Sequence, residues 1–259
     1  MVIETSLKQI HPGSDTALLF IHGILGNPMH FDFLFSEAKD CSIYSLLLDG
    51  HGKDAKALGK TDMQKWKEQV EHTLRELLKH YKNVYIIAHS MGTLFAMEAA
   101  IFHPVRIKGL FLMNTPLTIR LKPELFSTCI RVFFGCTKTA PPHVQGAKKC
   151  YGIGRDFKIW RYLFWIPRYL ELFMEIHRMK GRMYRVGVPV FAFHSDLDEM
   201  IGRTSLSYFK RVRGAEMFHL PHSTHFYYTP KDKQILKKAF RSFLDPEKTG
   251  KADEIRKNL

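Results

Sequence analysis

Six short, nearly unbroken apolar runs punctuate the chain, at residues 17–21, 42–48, 84–88, 107–113, 189–193 and 216–220. Runs of this length without a polar alternation suit parallel strands covered on both faces. A weaker run over residues 3–10 predicts an edge strand. Helical spacing falls between the runs. After Met63, residues Trp66, Val70, Leu74, Leu77, Leu78 and Tyr81 recur on one face, with Thr61 or Asp62 placed to cap it. Leu94, Phe95, Met97 and Ala100 mark a second helix that stops before Pro104, and residues 232–244 carry a last one through Leu236, Ala239, Phe240 and Phe243. The alternation predicts an α/β fold: a doubly wound, mostly parallel sheet flanked by helices, with right-handed crossovers. The charged tail beyond Asp245-Pro246 is expected to be solvated.

Residues 116–182 break the rhythm. They contain Pro141-Pro142, Gly152, Gly154 and Pro167. Two amphipathic runs stand among them, one through Phe157, Trp160, Leu163 and Phe164, the other through Tyr169, Leu172, Phe173, Ile176 and Met179. The expected organisation is a core of residues 1–115 and 183–259 with a helical cap, 116–182, inserted between two strands.

Composition narrows the class. A chain of 259 residues with 45% apolar content can bury one large core. No apolar stretch reaches the length of a membrane span. The start, Met1 to Lys8, lacks the basic and apolar regions of a signal peptide, so cytoplasmic residence is expected. Cys41, Cys129, Cys136 and Cys150 show neither metal nor redox spacing and are read as reduced thiols. The formal charge is +14, and residues 116–182 hold 13 Lys/Arg against 4 Asp/Glu, together with 11 of the 33 aromatics. That segment is expected to favour an anionic membrane surface or an acidic substrate. No nucleic-acid module is present, so nucleic acid is not an expected partner.

The chemistry begins at Ala88-His89-Ser90-Met91-Gly92-Thr93, set between the run at 84–88 and the helix that follows. Strand, tight turn and helix push a serine hydroxyl out at the end of the sheet, where the next N–H groups open the helix. Such a serine needs a base, and the base an acid, from the ends of other strands. The run at 189–193 leads into His194-Ser195-Asp196-Leu197-Asp198, offering Asp196 or Asp198. The run at 216–220 leads into Pro221-His222-Ser223-Thr224-His225, offering His222 or His225. The segment Asp49-Gly50-His51-Gly52 supplies too few ligands for a metal and reads as a turn. No phosphate-binding glycine loop is present.

These segments, with Leu19-Phe20-Ile21-His22-Gly23-Ile24-Leu25-Gly26 and Asp198-Glu199-Met200-Ile201, resemble the α/β-hydrolase superfamily. Within it the likeness is to bacterial carboxylesterases and monoacylglycerol lipases. Ala88 stands where the motif has glycine, as do Ser195 and Thr224, and none of these removes a reacting group. The resemblance implies Ser90 as nucleophile, Asp198 as acid and His225 as base. It also implies the N–H groups of Ile24 and Met91 as oxyanion donors, with His22 and Gly23 shaping the loop. The implied activity is hydrolysis of a small-molecule acyl ester through an acyl-enzyme, without metal or organic cofactor. Amide, peptide or thioester cleavage uses the same groups, and a non-catalytic binding protein can share the fold. Phe157, Trp160, Phe164, Trp165 and Phe173 are expected to line an acyl pocket under the cap.

Overall fold

A computed structural model describes residues 5–244. Seven strands form one sheet: β1 (Leu7–Gln9), β2 (Thr16–Ile21), β3 (Ser42–Leu46), β4 (Asn83–His89), β5 (Ile107–Met113), β6 (Val190–Ser195) and β7 (Glu216–Leu220). Their order is β1-β3-β2-β4-β5-β6-β7. Every pairing is parallel except β1 with β3, where Leu7 faces Ser45. The edge strand expected at 3–10 is thus antiparallel and short; residues 3 and 4, like the tail beyond 244, lie outside the described residues.

The helices are α1 (Asp32–Phe35), α2 (Ala55–Lys60), α3 (Met63–His80), α4 (Met91–Phe102), α5 (Pro123–Phe134), α6 (Pro142–Cys150), α7 (Ile166–Lys180) and α8 (Pro230–Leu244). The two-residue period of the strands sends alternate side chains to two cores. On one face Leu19, Ile21, Ile86 and Ala88 pack with Trp66, Val70 and Leu74 of α3 and Leu94 of α4. On the other, Leu18, Phe20, Ile87 and Phe111 pack with Leu236, Phe240 and Phe243 of α8. Asp62 caps α3 by accepting the Lys65 N–H at 2.8 Å.

Between β5 and β6 the chain folds as α5, α6, a 3-10 turn over Ile159–Trp165, and α7. The Pro141-Pro142 pair, which reads in the sequence as a break, starts a helix. Pro142, like Pro123 of α5, sits in the first turn, where its missing N–H has no partner to lose. Gly135 ends α5 in the left-handed region at φ 77°. From Ile159 on, the predicted helical run at 157–164 is instead the 3-10 turn, with about three residues per turn, and residues 157–158 precede it. α7 is fixed to the core: Leu172, Ile176 and Met179 share the cluster of α3 and α4. Lys67 of α3 lies 3.3 Å from Glu98 of α4 and 2.5 Å from Glu175 of α7. Arg178 of α7 bonds both Glu98 and Glu175, closing the network.

Candidate active site

Ser90 follows β4 directly and begins the turn into α4, with φ 52° and ψ −125°. That conformation is strained for a residue with a Cβ, by about 1–3 kcal/mol, and must be held from outside. Its N–H donates to Met113 O at 2.9 Å, while its carbonyl accepts from the Thr93 N–H at 3.0 Å and the Thr93 hydroxyl at 2.6 Å. Two glycines allow the close approach. A Cβ on Gly92 would come within 2.3 Å of Ile21 O, and one on Gly23 within 2.7 Å of the Ser90 Cβ.

Asp198 and His225 arrive from the loops after β6 and β7. Asp198 Oδ1 accepts the N–H groups of Met200 at 2.7 Å and Ile201 at 2.8 Å, which turns Oδ2 toward His225. His225 Nδ1 lies 2.7 Å from Asp198 Oδ2, and its Nε2 lies 3.1 Å from Ser90 Oγ. An ionised carboxylate only accepts, so Nδ1 carries the hydrogen and Nε2 is left to accept from the serine. Burial pushes the His225 pKa down, but the Asp198 charge, the hydrogen bond to Asp198 and the Glu199 charge outweigh it. The net result lies above the ordinary histidine value.

The backbone of His225 is anchored by residues the sequence reading did not single out. Glu199 Oε2 accepts its N–H at 3.0 Å. Its carbonyl accepts from His89 Nε2 at 2.9 Å and from Asn114 Nδ2 at 3.3 Å. Asn114, with φ 51°, also accepts the Ser195 N–H at 2.8 Å and so ties the ends of β5 and β6 to the histidine loop. The competing candidates are elsewhere. Asp196 pairs with His219 at 2.8 Å and with Arg203 at 3.1 Å, away from Ser90. His222 is exposed, and His194 is buried within β6.

Met91 follows Ser90 in the chain and Ile24 lines the same cavity as Ser90, and among the described residues neither N–H donates to a protein acceptor. The Ile24 loop is braced by two neutral histidines. His22 Nδ1–H donates to Gly23 O at 2.8 Å and its Nε2 accepts the Leu48 N–H at 3.1 Å. His51 Nδ1–H donates to Leu48 O at 3.1 Å, and its Nε2 accepts the Leu25 N–H at 3.1 Å. Leu25 has φ 59°, a left-handed conformation that this hydrogen bond supports. Burial keeps both imidazoles uncharged: it holds His22 well below the usual value, helped by His51, and brings His51 to about 4. The Asp49–Gly52 turn therefore does more than reverse the chain. Gly152 adds a third brace. Its N–H donates to Leu25 O at 2.7 Å and its carbonyl accepts the Gly52 N–H at 2.7 Å. A Cβ at Gly152 would meet Gly26 O at 2.0 Å.

A cavity of about 550 Å³ opens above Ser90 and His225. Leu125, Thr128 and Val132 line it from α5, and Tyr169, Leu172 and Phe173 from α7. Of the aromatics expected there, Trp165 and Phe173 line the cavity, and the Trp165 indole N–H donates to Ala55 O at 2.8 Å. Phe157, Trp160 and Phe164 do not: they point outward, between 60% and 70% exposed. The shorter 3-10 repeat turns Tyr162 and Trp165 inward and leaves Trp160 and Phe164 on the surface, while Phe157 lies ahead of the turn.

Residues 16–132 match the family model described as alpha/beta hydrolase fold. Comparison with curated proteins gives no match. Among solved structures, the chain is similar to one of the metagenome-derived lipolytic enzymes LipS and LipT, with TM-score 0.72, 19% identity, and 93% of this chain and 97% of that one covered. It is similar to a soluble variant of monoglyceride lipase from Saccharomyces cerevisiae, with TM-score 0.64, 16% identity, and 93% and 90% covered. It is also similar to Est1E from Butyrivibrio proteoclasticus, with TM-score 0.63, 16% identity, and 92% and 93% covered. Sheet order, the strand–turn–helix at Ser90 and these likenesses agree: the chain is an α/β-hydrolase-fold protein.

Proposed function

We propose that the chain is a serine hydrolase of carboxylic esters with a short or medium acyl group, a monoacylglycerol among them. The observation that carries this reading is the hydrogen-bonded line from Ser90 Oγ through His225 to Asp198 at the floor of an apolar cavity. The Ser90 oxygen attacks the ester carbonyl carbon while His225 Nε2 takes its proton. The carbonyl oxygen becomes an anion held by the Ile24 and Met91 N–H groups, where each donor is worth about 100- to 1,000-fold in kcat. Collapse breaks the bond to the alcohol oxygen, which leaves with the proton from His225. Water then gives a proton to His225 and attacks the acyl-enzyme; the tetrahedral intermediate releases the acid, and Ser90 recovers its proton. Asp198 holds the imidazole in the required tautomer and stabilises its charged form. In this reading residues 116–182 act as the cap, and the inner faces of α5 and α7 receive the acyl chain.

The test is a panel of esters, thioesters and amides of graded acyl length, with Ser90→Ala as the blank. Ester turnover should dominate, and a fluorophosphonate should label Ser90. Ser90→Ala should lose about 10⁴- to 10⁶-fold in kcat with its fold intact. Thr128→Phe, which fills the cavity from α5, should move the preference to shorter chains and lower kcat/KM for the longest by about tenfold or more. Preference for thioesters or amides at matched acyl groups would replace the ester reading. Absence of labelling and turnover would leave a binding protein.

A further inference from the structure

Of the 20 large hydrophobic side chains exposed among the described residues, 14 fall within residues 116–182, about a quarter of the chain. Phe126, Ile130 and Phe134 repeat four residues apart along α5 and are all exposed, Ile130 and Phe134 at the mouth of the cavity. Phe157, Ile159, Trp160, Leu163 and Phe164 stand out from the 3-10 turn and the residues before it. Leu170, Phe173 and Met174 extend the surface along α7. Single exposed apolar residues are ordinary, but a concentration of this size marks a surface that meets something apolar.

The charge around it identifies the partner. Arg131, Lys138, Arg155 and Lys158 are exposed among or beside these side chains. The acids of the segment are largely taken: Asp156 pairs with Arg161, Glu171 with Arg168 and Glu175 with Lys67, leaving exposed Glu124. A second copy docking through the same face would set like charges against each other. An apolar layer under an anionic surface satisfies both features. The surface also opens into the site: Ile119, Leu121, Ile130, Phe134 and Phe173 are exposed and at the same time line the cavity that reaches Ser90. No helix among the described residues is long and apolar enough to cross a membrane, so the contact is with the surface layer.

We propose that this face docks on an anionic lipid bilayer and that the acyl substrate passes from the bilayer into the Ser90 cavity. The second half rests on the ester-hydrolase reading; the docking does not. Apolar side chains seat in the headgroup boundary, and the cations meet the anionic headgroups, each strengthening attachment by about fivefold at low salt. The cavity mouth then faces lipid, and a single-chain ester can enter without crossing water.

Trp160 is a built-in reporter, 60% exposed while Trp66 and Trp165 are buried. Ser90→Ala protein, which cannot consume lipid, is titrated with phosphatidylcholine vesicles carrying brominated chains, with and without phosphatidylglycerol. Trp160 fluorescence should be quenched, more strongly with phosphatidylglycerol and less at high salt. Ile159→Ser with Leu163→Ser, both outside the cavity lining, should raise the vesicle Kd about tenfold or more. Lys138→Glu with Lys158→Glu should do so for anionic vesicles in particular. With Ser90 restored, each pair should keep its rate on a water-soluble short ester and lose about tenfold on a vesicle-borne monoacyl ester. Absence of quenching by anionic vesicles overturns the docking, as does light scattering that shows a dimer abolished by the Ile159/Leu163 pair. Vesicle binding without hydrolysis of any ester leaves the docking standing and removes the substrate half; hydrolysis of soluble ester without vesicle binding does the reverse.

Discussion

Gly23 and Ser90 touch so closely that a single added carbon on the glycine would lie 2.7 Å from the serine Cβ. In the proposed mechanism the Ile24 donor is delivered by that approach. Gly23→Ala must push the loop back or rotate it, and the distance to a developing oxyanion grows with it. The expected loss in kcat is about 100-fold or more, comparable to removing one donor, with circular dichroism unchanged. Wild-type turnover by this variant would show that the loop is not where the anion is held.

His51 reaches the same loop from the other side, as the acceptor of the Leu25 N–H. His51→Ala strands that donor in a partly buried place, at about 1–3 kcal/mol if no water reaches it. In the proposed mechanism kcat should fall tenfold or more with KM little changed, and His51→Gln, which restores an acceptor, should recover part of the loss. An equal loss in the Ala and Gln variants in steady-state kinetics would show that packing alone matters.

Because the Asp198 and Glu199 charges hold the His225 pKa above the ordinary value, the rate should rise with pH through a pKa above 6.5. Only the neutral imidazole can accept the Ser90 proton. In Asp198→Asn the main upward pull is gone, so the acidic limb should move to lower pH while kcat falls by about 10⁴. A kcat/KM profile whose acidic limb stays in place would separate that limb from His225.

Five histidines, His22, His30, His51, His89 and His194, are held neutral chiefly by burial, with His30 near 3 and His51 near 4. Their folded pKa values lie below the unfolded value of about 6.5, so the unfolded chain binds more protons in between. Their contribution is fully present above pH 6.5 and is lost as pH falls toward 4. The drop for His51 alone corresponds to about 3 kcal/mol at most. His225, with its raised pKa, acts in the opposite sense, adding stability that disappears as pH rises past that pKa. Five histidines against one should leave the urea midpoint clearly lower at pH 5 than at pH 8; an equal midpoint would show that these imidazoles find partners for a proton.

The sheet was legible because buried parallel strands leave unmistakable apolar runs, and all six runs match strand boundaries within two residues at each end. Ser90, Asp198 and His225 were reachable because each sits where a run ends. The segment between β5 and β6 was harder. Pro123 and Pro142 punctuate a sequence but start helices here, so α5 and α6 went unread. Phe157, Trp160 and Phe164 were assigned inward on a helical repeat that the chain does not adopt. No role was legible for Asn114, Glu199 or Gly152, although Glu199 and Gly152 stood in the sequence patterns, because each acts through partners 26 to 127 residues away.

The Gly152 peptide, stitched between the Leu25 carbonyl and the Gly52 amide, makes the stretch between β5 and β6 a structural parent of the loop after β2. Swapping residues 116–182 for a foreign segment would remove a rivet from the loop that presents the Ile24 amide. A chimera built to change acyl preference should therefore keep the stretch around Gly152 and exchange only α5, whose inner side chains face the cavity and whose removal leaves that rivet in place.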